Sequence, residues 1–236
     1  MDLMDYVRDV DSLLDVGCNV GDLLGRCRTA FPDAKLAGIE INENALETAR
    51  SRVPSAELRR AGGEKIPFED GSFQYVSCIE VLEHIPANLR AEVFREIHRV
   101  LKPKGSLILT VPHDGWFGWL DTQNIRLRFP KLYRRFVRPG DRDAAYEAFG
   151  REIEWHHHFT EEEILQLAGS GWKVTTVRHG GLLLYPLSDC LSWPFYRSHM
   201  ATHPVRQQLG RLGYWDCNID YGKASVRILM VLQRQD

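Results

Sequence analysis

Apolar residues along the chain alternate between short unbroken runs and stretches at helical spacing. Ser12 to Val16 is a short apolar run, Gly17 and Gly21 permit a tight turn, and residues 21–31 read as a helix leaving it. Residues 36–41 form a second apolar run that carries the acid Glu40. Residues 42–53 then place Ala45, Leu46, Ala49 and Val53 at helical spacing. Further strands are predicted near 56–61, 73–79, 106–111, 172–177 and 225–232. A helix over 87–101 gains one apolar face from Leu89, Val93, Ile97, Val100 and Leu101, with Pro86 at its start and Pro103 and Gly105 as its stop. Another, over 160–168, has Thr160 and Glu163 in capping-box spacing. This alternation predicts a doubly wound α/β sheet.

Two segments, 113–158 and 179–223, interrupt the alternation and are too long for ordinary connections. Ligands of open α/β sheets bind beyond the carboxyl ends of the strands. The segments are therefore expected to be lid insertions at that edge, decorating one domain over residues 1–236 whose core is 10–112, 159–178 and 224–234. With 44% hydrophobic residues, the chain is long enough for one full core.

The first strand, turn and helix, followed by the second strand, form a βαβ unit that puts Glu40 at a strand tip beside the glycine turn. A carboxylate there can accept hydrogen bonds from two ribose hydroxyls. The dinucleotide fingerprint requires glycines where this chain has Asn19 and Asp22. An acid at the helix N-terminus repels pyrophosphate. With Asp15 at its entry, the turn suits a cationic ligand without phosphates, and S-adenosylmethionine, which carries an ammonium and a sulfonium, fits.

SLLDVGCNVG (12–21), GGEKIPFEDGSFQYVSCIEVLEHIP (62–86) and HRVLKPKGSLILTVPH (98–113) follow one another in an order that resembles the class I S-adenosylmethionine-dependent methyltransferases. The resemblance covers residues 10–112, with weaker support over 159–178 and 224–234. It implies a Rossmann-like, mostly parallel seven-stranded sheet with an antiparallel last strand, and S-adenosyl-L-methionine as cofactor. It places the methionine end on Asp15, Gly17, Cys18, Asn19 and Gly21, with Glu40, Ile41, Gly63, Glu64 and Glu80 completing the cofactor site. The chain departs from the family at Asn19 and Lys104, where glycine is usual, at Gln74, where Asp is usual, and at Gly62, where an acid often binds the adenine amino group. Asn tolerates positive φ. Gly62 leaves the adenine to backbone groups or to Glu64.

A net charge of −2 and a pI near 6.5 supply no basic field for nucleic acid. Five cysteines, an odd number without metal-ligand spacing, together with a start that lacks a basic and apolar leader, point to a cytoplasmic protein with reduced thiols and no metal site. Cys18 has acidic neighbours, so a small buried side chain is expected rather than a nucleophile. No apolar run approaches the roughly 20 residues of a membrane span.

The acceptor side is expected in the insertions. Arg134 and Arg135 lie in a basic cluster over 126–142 that reads either as a solvated face or as the binding site for an anionic acceptor group, such as the diphosphate of a nucleotide sugar or lipid-linked glycan, or for a membrane surface as a peripheral contact. The apolar stretch LLLYPLSDCLSWPFYRSHM (182–200) reads as lid packing or as support for the lipid variant of that reading. An oxygen acceptor needs a base, and His156 or His158, before His113, is the expected one; the alternative is that these histidines hold the lid by hydrogen bonds. Asp114, Asp121 and His84 are lesser candidates. The expected reaction is O-methylation of a sugar or related small or carrier-bound metabolite. The alternatives are N- or C-methylation of a lipophilic or aromatic metabolite, and a cofactor-binding subunit without turnover. Oligomeric state stays open.

Overall fold

The computed structural model of the chain describes residues 3–120, 129, 131, 157–195 and 203–235. Among the described residues the order of elements is β1 (Ser12–Val16), α1 (Asp22–Ala30), β2 (Lys35–Glu40), α2 (Glu43–Arg52), β3 (Glu57–Arg60), β4 (Phe73–Ile79), α3 (Ala87–Val100) and β5 (Leu101–Pro112). Then follow α4 (Glu161–Ala168), β6 (Trp172–Gly180), α5 (Leu184–Ser192), α6 (Pro204–Cys217) and β7 (Arg227–Arg234). β1 and β4 coincide with the runs predicted for them. No helix among the described residues is long and apolar enough to cross a membrane.

The seven strands form one sheet in the order β3-β2-β1-β4-β5-β7-β6. The pairs β1–β2, β2–β3, β1–β4 and β4–β5 are parallel, so the expected doubly wound, mostly parallel α/β sheet is the one observed. Strand order runs outward from β1 in both directions. Right-handed crossovers therefore send α1 and α2 to one face and α3 to the other, and the reversal between β1 and β4 opens a crevice at their carboxyl ends. β1 is buried along its whole length, as a central strand covered on both faces must be. β3, on the edge, is mostly exposed.

One expectation fails at the junction of α3 and β5. Pro103 and Gly105 do not form a loop after the helix, because α3 ends at Val100 and β5 begins at Leu101. Phe73 pairs with Leu101 and Tyr75 with Ser106, five steps on β5 against two on β4. The surplus forms a bulge in which Lys104 takes φ 62°. Proline and glycine punctuate a bulged strand as readily as a helix end.

Contacts divide the chain into two compact units. The first comprises Asp2–Val111, Glu161–Val177 and Leu229–Asp236 and holds most of the sheet. Its core includes Leu13, Leu14, Ile39, Val76, Phe94 and Ile108, each at most 2% exposed. Within it the loop that follows β3 is fastened to α3: Ile66 N–H donates to Glu96 at 2.7 Å, and Arg99 donates to the carbonyls of Ile66 and Phe68, both at 2.8 Å. Pairing with Arg99 holds the Glu96 carboxyl below its ordinary range.

The second unit comprises Pro112–Thr160 and Arg178–Ile228. Its centre is Asp216, 1% exposed, which accepts from the amides of Leu182 (2.8 Å) and Tyr185 (2.9 Å) and from the Tyr221 hydroxyl (2.8 Å). The carboxylate thereby caps the start of α5 from the end of α6. Gly213 meets Ser188 and Tyr185, and Gly181 meets Cys217, so α5 and α6 run antiparallel.

Candidate cofactor site

Within the first unit, the tips of β1, β2 and β4 bring together Asp15, the glycine turn, Glu40 and Glu80. The turn folds back on β2, since Gly17 and Cys18 both donate their amides to the Ile39 carbonyl, at 2.9 and 3.0 Å. Gly17 has φ 74°, and a Cβ on it would overlap Val81 Cγ2. Both facts demand glycine there. Asn19, φ 46°, occupies the left-handed region, where a short amide side chain is tolerated.

Asn19 is tied to Glu40 by a hydrogen bond from its amide to Oε2 at 3.0 Å. Oε1 of the same carboxylate accepts from Ile41 N–H at 2.8 Å and from Asn42 N–H at 2.9 Å. Asn42 itself caps α2 by accepting from the amides of Asn44 and Ala45. Three main-chain donors thus orient Glu40. Oε2, with one amide donor, keeps a lone pair that a hydroxyl can use.

Asp15 is buried and accepts from Ser77 Oγ at 2.8 Å. Its pKa is pushed up to about 7: burial penalises the charged form and the neighbouring Glu40 carboxylate adds to that, while the Ser77 hydrogen bond works against both. Burial, with Asp15 and Glu40 adding to it, pushes the Cys18 thiol up to about 12, so Cys18 is a small inert side chain. None of the five cysteines forms a disulfide.

At the tip of β4, Glu80 takes φ 54°, an uncommon conformation for a non-glycine residue that surrounding bonds must hold. Those bonds come from β5: Glu80 N–H donates to the Thr110 carbonyl at 3.0 Å, and Thr110 Oγ1 donates to Glu80 Oε1 at 2.9 Å. Ser77 and Thr110 were absent from the expected site. Their signal is a hydroxyl residue within the apolar stretches YVSCI and LILTV of those strands.

The loop after β3 borders Glu40, for Ala61 N–H donates to the Glu40 carbonyl at 3.3 Å. A Cβ on Gly62 would fall on the carboxylate oxygens of Glu64 and 2.7 Å from its Cδ. Glu64 therefore fills the volume that a side chain at position 62 would take. Gly63 packs close to Val16 and Val93.

Of the histidine candidates, His113 and His158 lie in the second unit and His84 in the first. His113 is buried, with Nδ1 2.8 Å from the Ser225 carbonyl and its ring 4.9 Å from that of His179. A carbonyl only accepts, so Nδ1 carries a proton and, in the neutral ring, Nε2 is the basic nitrogen. His158 is half-buried near Gly118, and His157 packs edge-on against Phe159. His84 Nε2 lies 3.9 Å from Glu83 Oε1. His156, Arg134, Arg135 and Asp121 lie outside the described residues. Among the described residues no cluster of histidine, cysteine and acids could hold a metal ion.

A family model described as a methyltransferase domain matches residues 14–109. Demethylmenaquinone methyltransferase of Staphylococcus aureus is 35% identical over 106 residues, 43% of this chain and 43% of that protein. The aligned region thus spans less than half the relative's length. Among solved structures, an S-adenosylmethionine-dependent methyltransferase from Methanosarcina mazei superposes with a TM-score of 0.61 at 20% identity, covering 98% of this chain and 96% of that one. Geranyl diphosphate C-methyltransferase of Streptomyces coelicolor, in complex with Mg²⁺, geranyl diphosphate and S-adenosyl-L-homocysteine, gives 0.63 at 14% identity, covering 98% and 76%. At these identities the structures speak for the fold alone.

Proposed function

The chain belongs to the class I S-adenosylmethionine-dependent methyltransferase family, and from that premise we propose that it transfers a methyl group from S-adenosylmethionine to a small-molecule acceptor. The observation that carries the reading is the Glu40 carboxylate, held by three main-chain amides beside the glycine turn with acceptor capacity left on Oε2. That arrangement suits the ribose hydroxyls of a nucleoside. Asp15 and the Gly17–Gly21 turn suit the ammonium and carboxylate of the methionine end, since a cation beside Asp15 favours its charged form. Glu64, folded into the volume above Gly62, suits the adenine amino group.

When bound, the cofactor supplies a methyl group on a sulfonium, and the protein must align the acceptor and dispose of its proton. For the acceptor we propose a hydroxyl, of a sugar or related metabolite, with His113 as the base. Its Nδ1–H to Ser225 sets the ring so that Nε2 takes the proton. Arg134 and Arg135 are proposed to hold an anionic part of the acceptor. A lipophilic acceptor is the second reading, supported by the likeness to demethylmenaquinone methyltransferase.

Calorimetry and a mass-spectrometric screen of pooled acceptors test these assignments together. Glu40→Ala should weaken S-adenosylmethionine binding by about 1.5 to 3 kcal/mol, as for hydrogen bonds to a charged group. Unchanged affinity, or tighter binding of NAD by the unaltered protein, would sink the cofactor assignment. His113→Gln should keep cofactor affinity and lose about 10²- to 10⁴-fold in turnover. Near-normal turnover in that variant and in His156→Ala and His158→Ala would move the reading to a neutral amine acceptor.

A further inference from the structure

α5 and α6 meet along Ser188 and Ser192 on one helix and Gly213 and Asp216 on the other, all buried. In a helix, the residue preceding an inward-facing one is rotated from it by about 100°. Because the two helices are antiparallel, that rotation carries both sets of preceding residues to the same side of the pair. On α5 these are Leu187 and Leu191, with Leu183 just before the helix, its carbonyl accepting from Leu187 N–H. On α6 they are Leu212 and Trp215, with Val205 two turns earlier. All six are between 47% and 59% exposed. Five large aliphatic groups and a tryptophan thus line one face of a helical pair, a concentration that soluble surfaces rarely leave uncovered.

Charge is distributed unevenly around this face. Of the two cations of α6, Arg206 lies seven residues before the inward Gly213 and shares its side, whereas the exposed Arg211 flanks Leu212 at the edge of this face; the sole acid, Asp216, turns inward to Leu182, Tyr185 and Tyr221. On α5 the acid is Asp189, which follows Ser188 and is therefore rotated to the opposite side. We propose that this face docks the protein on the surface of an anionic lipid bilayer. Leu183, Leu187, Leu191, Val205 and Leu212 enter the boundary between headgroups and acyl chains, Trp215 sits at headgroup level, and Arg211, next to Leu212 at the edge of the face, meets lipid phosphates. A second copy of the chain fits less well, because a two-fold contact sets the same cationic helix against itself. Neither helix is long enough to span, so the pair lies on the membrane.

Co-sedimentation of the full chain with vesicles of phosphatidylcholine alone, or of phosphatidylcholine mixed equally with phosphatidylglycerol, tests the proposal. Binding should rise on the anionic vesicles and fall with added salt. Leu187→Glu combined with Leu212→Glu should lower partition by at least about tenfold, with circular dichroism reporting whether that variant is folded. A second measurement does not depend on its folding: brominated lipids should quench the tryptophan emission of the unaltered protein, and part of that quenching should vanish in Trp215→Phe. Absence of binding to either vesicle overturns the proposal. So does quenching that Trp215→Phe leaves unchanged. A dimer in sedimentation velocity that Leu187→Glu dissociates would assign the face to a second copy instead.

Discussion

Glu40 in the first unit and Asp216 in the second are both carboxylates fixed by main-chain amides, yet they do different work. Asp216 is 1% exposed, and its oxygens face the Leu182 and Tyr185 amides and the Tyr221 hydroxyl. Glu40 is half-buried, and three amides leave it oriented but not saturated. An acid whose partners are all internal joins helices. One that is aimed and incompletely used is built to receive something else. In the first unit the backbone supplies the geometry of a ligand site, and in the second a side chain supplies the geometry of a fold.

The largest effect should come from Gly17→Ala, which sets a methyl against Val81 and forces a left-handed φ on a residue with a Cβ. The two costs together are about 3 to 5 kcal/mol. Thermal melts and cofactor calorimetry should both register it, and Val81→Ala in the same chain should restore part of the loss. Asp216→Ala strands two amides and a hydroxyl, for about 3 kcal/mol in chemical denaturation. If the comparison holds, S-adenosylmethionine affinity at a temperature where the variant is folded should not change. A matching loss of affinity would break it.

Asp15→Asn adds a dependence on pH. Burial raises the Asp15 pKa from its ordinary 3.8 to about 7, so between those values the folded protein holds a proton that the unfolded chain has released. Stability then falls as pH rises from about 4 to 7. The variant should exceed the unaltered protein by about 2 kcal/mol at pH 8, with the difference shrinking towards pH 5 in melts across that range. A difference independent of pH would remove Asp15 as its source. The smallest effect should be Lys104→Gly, which relieves the positive φ in the β5 bulge and stabilises by about 1 kcal/mol, with cofactor affinity untouched.

The first unit was legible wherever backbone demands select residue types. β1 and β4 read correctly because they are short, largely apolar runs bounded by turn residues, and Glu40 stood out as the acid of its strand. The β5 bulge was misread because Pro103 and Gly105 serve a helix end equally well. Ser77 and Thr110 were missed because hydroxyl residues are common in strands and only three dimensions put them beside Asp15 and Glu80. α5 and α6 went unread. Pro186 sits in the first turns of α5, and α6 buries only Gly213, Asp216 and Cys217, so the apolar residues at helical spacing, Leu187 and Leu191 on α5 and Leu212 and Trp215 on α6, mark an exposed face and not a buried one.

The volume above Gly62 has room for one carboxylate. It is reached from position 64 here, and a side chain at position 62 would compete for it. Gly62→Asp should swing the flexible Glu64 carboxylate aside and set like charges close together. An acid at either position thus disfavours an acid at the other, and a library randomised at 62 and 64 together should return mostly variants with an acid at one site or the other.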